Sequence, residues 1–66
     1  MTGKQILRHL GQLGCQEVRR SGSHVRVRCG VCQTTVPVHV GADIPLGTLR
    51  AIERDLEPCL GRKWLR

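Results

Sequence analysis

The stretch from Arg19 to His39, RRSGSHVRVRCGVCQTTVPVH, concentrates the side chains that could do chemistry. His24 follows a Gly-Ser pair, Arg26 and Arg28 alternate with valines after it, and His39 closes the stretch. Histidine is the side chain that moves protons near neutral pH. Arginine forks hold phosphate or carboxylate through paired hydrogen bonds. Together these types suit proton transfer beside an anionic group. The same stretch contains Cys29-x-x-Cys32, two of the four cysteines. That spacing raises a zinc site, but a closed structural site takes four ligands and only two are local. Cys15 and Cys59 would have to converge on them from a strand start and the tail.

Length and charge narrow what the residues can serve. The chain has 66 residues, 11 Lys plus Arg against 5 Asp plus Glu, and a formal charge of +6. A chain this short buries little surface and leaves room for a surface site or shallow cleft. The cationic excess favours a polyanion, either nucleic acid or an acidic protein surface. No run approaches the roughly 20 apolar residues of a membrane span. The polar start MTGKQ lacks an apolar signal core, so a cytoplasmic location is expected, with the cysteines as reduced thiols packing in the core.

Five elements must position these residues. Thr2 and Gln5 make a capping-box signature, and Ile6, Leu7, Leu10 and Leu13 recur at helical spacing. CQEVRR is a weakly patterned strand and SGS a turn. HVRVRC alternates, with Val25, Val27 and Cys29 on one face and His24, Arg26 and Arg28 on the other. Gly30-Val31 fits a two-residue hairpin loop. CQTTVPVHV then alternates again, with Cys32, Thr34, Val36, Val38 and Val40 on one side. Counting back from the loop pairs Cys29 with Cys32, Val27 with Thr34 and His24 with Pro37, which puts both apolar sets on one side. His39 then lies diagonal to His24 on the polar side. The last helix is expected to start near Asp43 and Pro45, to bury Leu49, Ile52 and Leu56, and to end at Pro58. Helix, three antiparallel strands, helix gives an α+β fold, αβββα, with both helices on one face of the sheet. The other face stays wet and carries His24 and the arginines.

The chain reads as a single domain over 1–66, with a core of about 2–56 and a basic tail over 57–66. His9 falls on the exposed side of the first helix and is expected to be inert. Trp64, the only aromatic residue, reads as a tail anchor. Arg50 stands near the start of the last helix, where free backbone N–H groups and a guanidinium could hold a phosphate.

GSH at 22–24, TVPVH at 35–39 and DIPLGTLRAI at 43–52, behind a short amphipathic helix, resemble the HicA toxin family of bacterial toxin–antitoxin systems. The resemblance spans roughly Thr2 to Leu56. It implies an αβββα fold like that of double-stranded RNA-binding domains, cleavage of mRNA, and neutralisation by a HicB antitoxin. It also implies that the histidine of the Gly-Ser-His motif, here His24, is the catalytic residue. RNA carries its own nucleophile, the 2′-OH, so cleavage needs a base, cationic groups and orientation, and no metal or cofactor in principle. The expectation is a metal-independent endoribonuclease with His24 as acid/base, His39 as a possible second, and Arg26, Arg28 and Arg50 on phosphate. A non-catalytic RNA-binding module and a zinc-stapled nucleic-acid adaptor built on Cys29 and Cys32 are the alternatives.

Overall fold

In a computed structural model describing Met1–Arg66, the first helix, α1, spans Gly3–Gln12. Thr2 caps it as its sequence suggests. The Gln5 N–H donates to Thr2 Oγ1 at 3.2 Å, and the Thr2 N–H donates to Gln5 Oε1 at 2.8 Å. Ile6 and Leu10 are buried, Leu7 packs against the core and Leu13 is largely exposed, so the apolar stripe runs out at the last turn.

Three strands follow: β1 Gln16–Ser21, β2 His24–Cys29 and β3 Cys32–Pro37, in the spatial order β1-β2-β3. Both hairpin loops have two residues and begin with glycine. Gly22 has φ +59° and Gly30 φ +62°, left-handed values that cost a side-chain-bearing residue roughly 1–2 kcal/mol. The β2–β3 register runs from Cys29↔Cys32 to His24↔Pro37, as counting back from the loop requires. The regular pairing ends at Pro37, so the expected alternation stops there and Val40 is fully exposed. The β1–β2 pairing shifts between Glu17 and Arg19, leaving Val18 in a bulge.

The last helix, α2, spans Leu46–Leu60 and departs from expectation at both ends. Pro45 is the N-cap and makes no side-chain bond. Asp43 instead pairs with the Met1 ammonium at 3.2 Å, while Thr2 and Asp43 form an isolated bridge. Pro58 lies inside the helix instead of ending it. A proline removes one i→i−4 bond. So close to the end that loss is tolerated, because Gly61 N–H still donates to the Glu57 carbonyl at 2.8 Å and Cys59 is tied to β3.

One core joins Ile6 and Leu10 of α1, Val25, Val27 and Cys29 of β2, Val36 of β3, Ile44, and Ile52 and Leu56 of α2. Both helices therefore cover the same sheet face. Thr34 is the buried polar residue of that face, and its hydroxyl donates to Asp55 Oδ2 at 2.9 Å. The tail folds back onto the helices. Trp64 Nε1–H donates to the Glu53 carbonyl at 2.8 Å, and Arg66 pairs with Glu53 at 3.0 Å. Trp64 is thus the anchor its composition suggested. His9, expected to be exposed, is half-buried and stacks on Trp64 with ring centroids 6.0 Å apart. No helix is long and apolar enough to cross a membrane.

The cysteines correct the reading of separate reduced thiols. Cys15 is bonded to Cys29 and Cys32 to Cys59, and no cysteine is free. Alternation did place Cys29 and Cys32 on the core side, where Cys29 is buried and Cys32 packs against it. It could not say which sulfurs come to meet them. The start of β1 brings Cys15 beside the end of β2, and the last turn of α2 brings Cys59 to the hairpin. With all four sulfurs committed to each other, a zinc staple built on Cys29 and Cys32 has no thiolate to use.

Gly3 is buried because α1 starts hard against β3. A Cβ there would fall on the Pro37 carbonyl oxygen and crowd Val38. Gly3→Ala is therefore expected to destabilise by roughly 1–3 kcal/mol, as forced overpacking does. Gly11→Ala has open space around its Cβ and sits in the helix interior, so it should stabilise by about 0.5–1 kcal/mol. Denaturant midpoints of the two variants check this. Equal shifts in one direction would refute the close approach.

Candidate functional site

The Gly-Ser-His motif is a hairpin with its consequences in order. Gly22 supplies the left-handed turn residue. The Ser23 carbonyl accepts the Val38 N–H at 2.6 Å, which ties the chain after β3 to the β1–β2 loop. His24 opens β2 opposite Ser21 on one side and Pro37 on the other. Because Val38 is held at the loop, the next residue, His39, stands beside His24. The two rings meet edge to face with centroids 6.4 Å apart, and both residues are exposed. That separation is too long for a direct hydrogen bond between them and short enough for both to reach one substrate group.

Along β2 the outer face continues with Arg26 and Arg28. Arg26 is held flat across β3: its Nε–H donates to Gln33 Oε1 at 3.1 Å and its Nη1 to Thr35 Oγ1 at 3.0 Å. Arg28 Nη2 donates to Gln16 Oε1 of β1 at 3.4 Å. A guanidinium has five N–H donors, so both arginines keep donors for a ligand while neutral partners fix their position. No carboxylate interrupts this track, since the ladder neighbours of His24, Arg26 and Arg28 are Pro37, Thr35 and Gln33 on β3 and Ser21, Arg19 and Gln16 on β1.

The structure brings together four of the five expected site residues: His24, His39, Arg26 and Arg28. Arg50 is placed elsewhere. It lies on α2, on the helical side, where it lines a 240 Å³ cavity with Met1, Leu46, Leu49, Glu53 and Leu65.

Two cations near the site went unread in the sequence. Lys4, in the first turn of α1, shares a 130 Å³ cleft with His39, Val38 and Gly41. Its proximity depends on Gly3 seating α1 against Pro37, a long-range contact with no local signature. Arg19 stands directly opposite Arg26 in the ladder. Strict alternation would give Arg20 the face of Gln16. The bulge at Val18 reverses the parity, so Arg19 shares the outer face and Arg20 turns to pair with Glu17 at 3.6 Å.

A family profile described as HicA toxin of bacterial toxin-antitoxin matches residues 3–57. No curated protein matches the chain, and no solved structure does.

Proposed function

We propose that this chain, which belongs to the HicA toxin family of bacterial toxin–antitoxin systems, is a metal-independent endoribonuclease that cuts mRNA in the cytoplasm and is neutralised by a HicB-like antitoxin. The observation that carries this reading is the pair His24 and His39, 6.4 Å apart at one end of a face bearing Arg26 and Arg28.

The chemistry follows from that pairing. The RNA backbone lies along β2 with one phosphate between the two imidazoles. His24 takes the proton from the 2′-OH, whose oxygen attacks phosphorus. His39 gives a proton to the departing 5′-oxygen. One P–O bond forms and one breaks, leaving a 2′,3′-cyclic phosphate and a 5′-hydroxyl. Arg26, already oriented by Gln33 and Thr35, meets the charge that develops on the non-bridging oxygens without reorganising. Arg28 holds the backbone further along. Arg50, on the helical side, is a phosphate contact only for RNA that wraps past the edge of the sheet.

A toxin that cuts its host's RNA must be held inactive by its partner. The chain carries +6, so an acidic antitoxin is steered to it. Covering the face of His24, Arg26 and Arg28 both blocks the acid/base pair and excludes RNA.

One assay tests the whole reading: purified protein with RNA in excess chelator, with and without the antitoxin encoded beside it. The expected result is cleavage in chelator, cyclic phosphate ends, and loss of both cleavage and RNA binding as antitoxin is added. A strict need for added divalent metal would sink the mechanism. RNA binding with no cleavage under any condition would leave an RNA-binding module. Simultaneous binding of RNA and antitoxin without mutual weakening would move the inhibitor to another surface.

A further inference from the structure

We propose that Arg19 is a third phosphate anchor of the outer face, forming with Arg26 a two-sided clamp on the phosphate next to the one at His24. The proposal rests on the reading of that face as an RNA track.

The first support is the bulge. It leaves Val18 unpaired and turns Arg19 to stand opposite Arg26, with both side chains on the wet face. Bulges commonly re-aim a side chain beside a functional site. Here the effect is to set two arginines across from each other on neighbouring strands, with the Arg26 guanidinium leaning toward β3.

The second support is electrostatic. Like charges directly opposite in an antiparallel pair destabilise it. The same strand shows how such a charge is ordinarily relieved, since Arg20 pairs with Glu17 at 3.6 Å on the other face. Arg19 has Arg26 as its ladder partner, and Arg26 is turned toward Gln33 and Thr35 on its far side. Neither Arg19 nor Arg26 has a carboxylate partner, so their like charge at paired ladder positions is left unrelieved. An anion bridging them converts a repulsion into two charge-assisted contacts.

The third support is spacing. His24, Arg26 and Arg28 follow at every second residue of β2, roughly 6–7 Å per step. That is of the order of the stride between successive phosphates in an extended single strand. A phosphate at His24 places its neighbour at Arg26, where Arg19 approaches from β1, and the next at Arg28. Arg19 is then a positioning residue. It holds the backbone so that the scissile phosphate stays between the two histidines.

The test is a salt titration of binding with a uridine oligonucleotide whose riboses are 2′-O-methylated, which removes the nucleophile and separates binding from cleavage. Wild type, Arg19→Ala and Arg20→Ala are compared. Arg20→Ala removes the same charge one residue away, on the opposite face. For Arg19→Ala the slope of log K against log salt should shrink by about 0.7, the single-strand value for one phosphate. Affinity at 0.1 M salt should fall by about 5-fold, which is that power of a tenfold dilution from 1 M. Arg20→Ala should leave both nearly unchanged. On cleavable RNA, Arg19→Ala should raise KM on an oligonucleotide and have no effect on a dinucleotide, which has no flanking phosphate. Its melting midpoint should be no lower than wild type, because a like-charge opposition is removed. Equal losses from Arg19→Ala and Arg20→Ala, or an equal KM defect on the dinucleotide, overturn the clamp. Wild-type protein that fails to bind the oligonucleotide overturns the RNA track itself, and the clamp with it.

Discussion

His24→Ala is expected to lower RNA cleavage by about 10²–10⁴-fold, the usual worth of a positioned acid or base, and to abolish growth arrest when the protein is induced in a bacterial host. The expectation rests on position as much as on residue type. His24 is exposed at the first residue of β2, so its imidazole supports no core contact and its loss should leave the melting midpoint almost unmoved. Substitutions at such sites ordinarily change stability by less than about 0.5 kcal/mol. RNA binding should also persist, since Arg26 and Arg28 are fixed by Gln33, Thr35 and Gln16 and not by the histidine. A fall in cleavage with fold and binding intact is the signature of a proton-transfer group. Equal toxicity and equal cleavage from wild type and His24→Ala would remove His24 from the mechanism. His39→Ala separates the two roles. If His39 protonates the leaving oxygen, its loss is also large. If it only packs beside Pro37, cleavage survives its removal and the acid is water.

The parts of this site that can be read from sequence are those fixed by neighbours in the chain. A two-residue loop at Gly30-Val31 sets the β2–β3 register by counting, and the alternation of Val25, Arg26, Val27 and Arg28 then assigns the faces. The His24–His39 pairing was legible for the same reason, although its distance depends on the Ser23–Val38 hydrogen bond. What escaped the sequence depends on contacts between distant residues. The bulge at Val18 carries no glycine to announce it, and it alone decides that Arg19, not Arg20, shares the face of Arg26. Pro58 has the local signature of a helix stop, but local rules ignore what holds a helix end, here the Cys59 bond to Cys32. His9 looked solvent-facing because its partner, Trp64, arrives from 55 residues away. Arg50 shows the opposite case: with both helices on one sheet face, a residue of α2 stands across the sheet from His24, and the free N–H groups at the helix start do not change that.

The disulfides set the second large expectation: full reduction should cost much of the protein's stability while sparing the geometry of the histidine end. Cys15–Cys29 spans 14 positions and Cys32–Cys59 spans 27, so each closes a loop worth roughly 3–3.5 kcal/mol of unfolded-chain entropy. A chain of this length has a total stability of only about 3–10 kcal/mol. Losing both cross-links therefore removes an amount comparable to the whole. Even a 2 kcal/mol loss lowers the melting midpoint by roughly 8–16 °C in a domain this small. The two bonds sit together at the Gly30-Val31 end, fastening the β2–β3 hairpin to the start of β1 and to the last turn of α2. The opposite end is held by other means: the capping box, the Ser23–Val38 bond and the Met1–Asp43 pair. Reduced protein that remains folded at low temperature should thus still hold His24 beside His39. Antitoxin binding should then recover part of the lost stability, because a ligand of the folded state stabilises it by an amount that grows with the logarithm of its concentration over Kd. On the proposed reading the chain acts in the cytoplasm, where thiol reductants are abundant, so the reduced state is the one that matters there. The measurement is thermal melting with and without dithiothreitol, with thiol titration confirming four free sulfhydryls in the reduced sample. Cys32→Ala with Cys59→Ala and Cys15→Ala with Cys29→Ala separate the two bonds. The second pair should cost more, because Cys29 also fills a place in the core. Coincident melts of oxidised and fully reduced protein would mean that the cross-links constrain nothing that folding does not already hold.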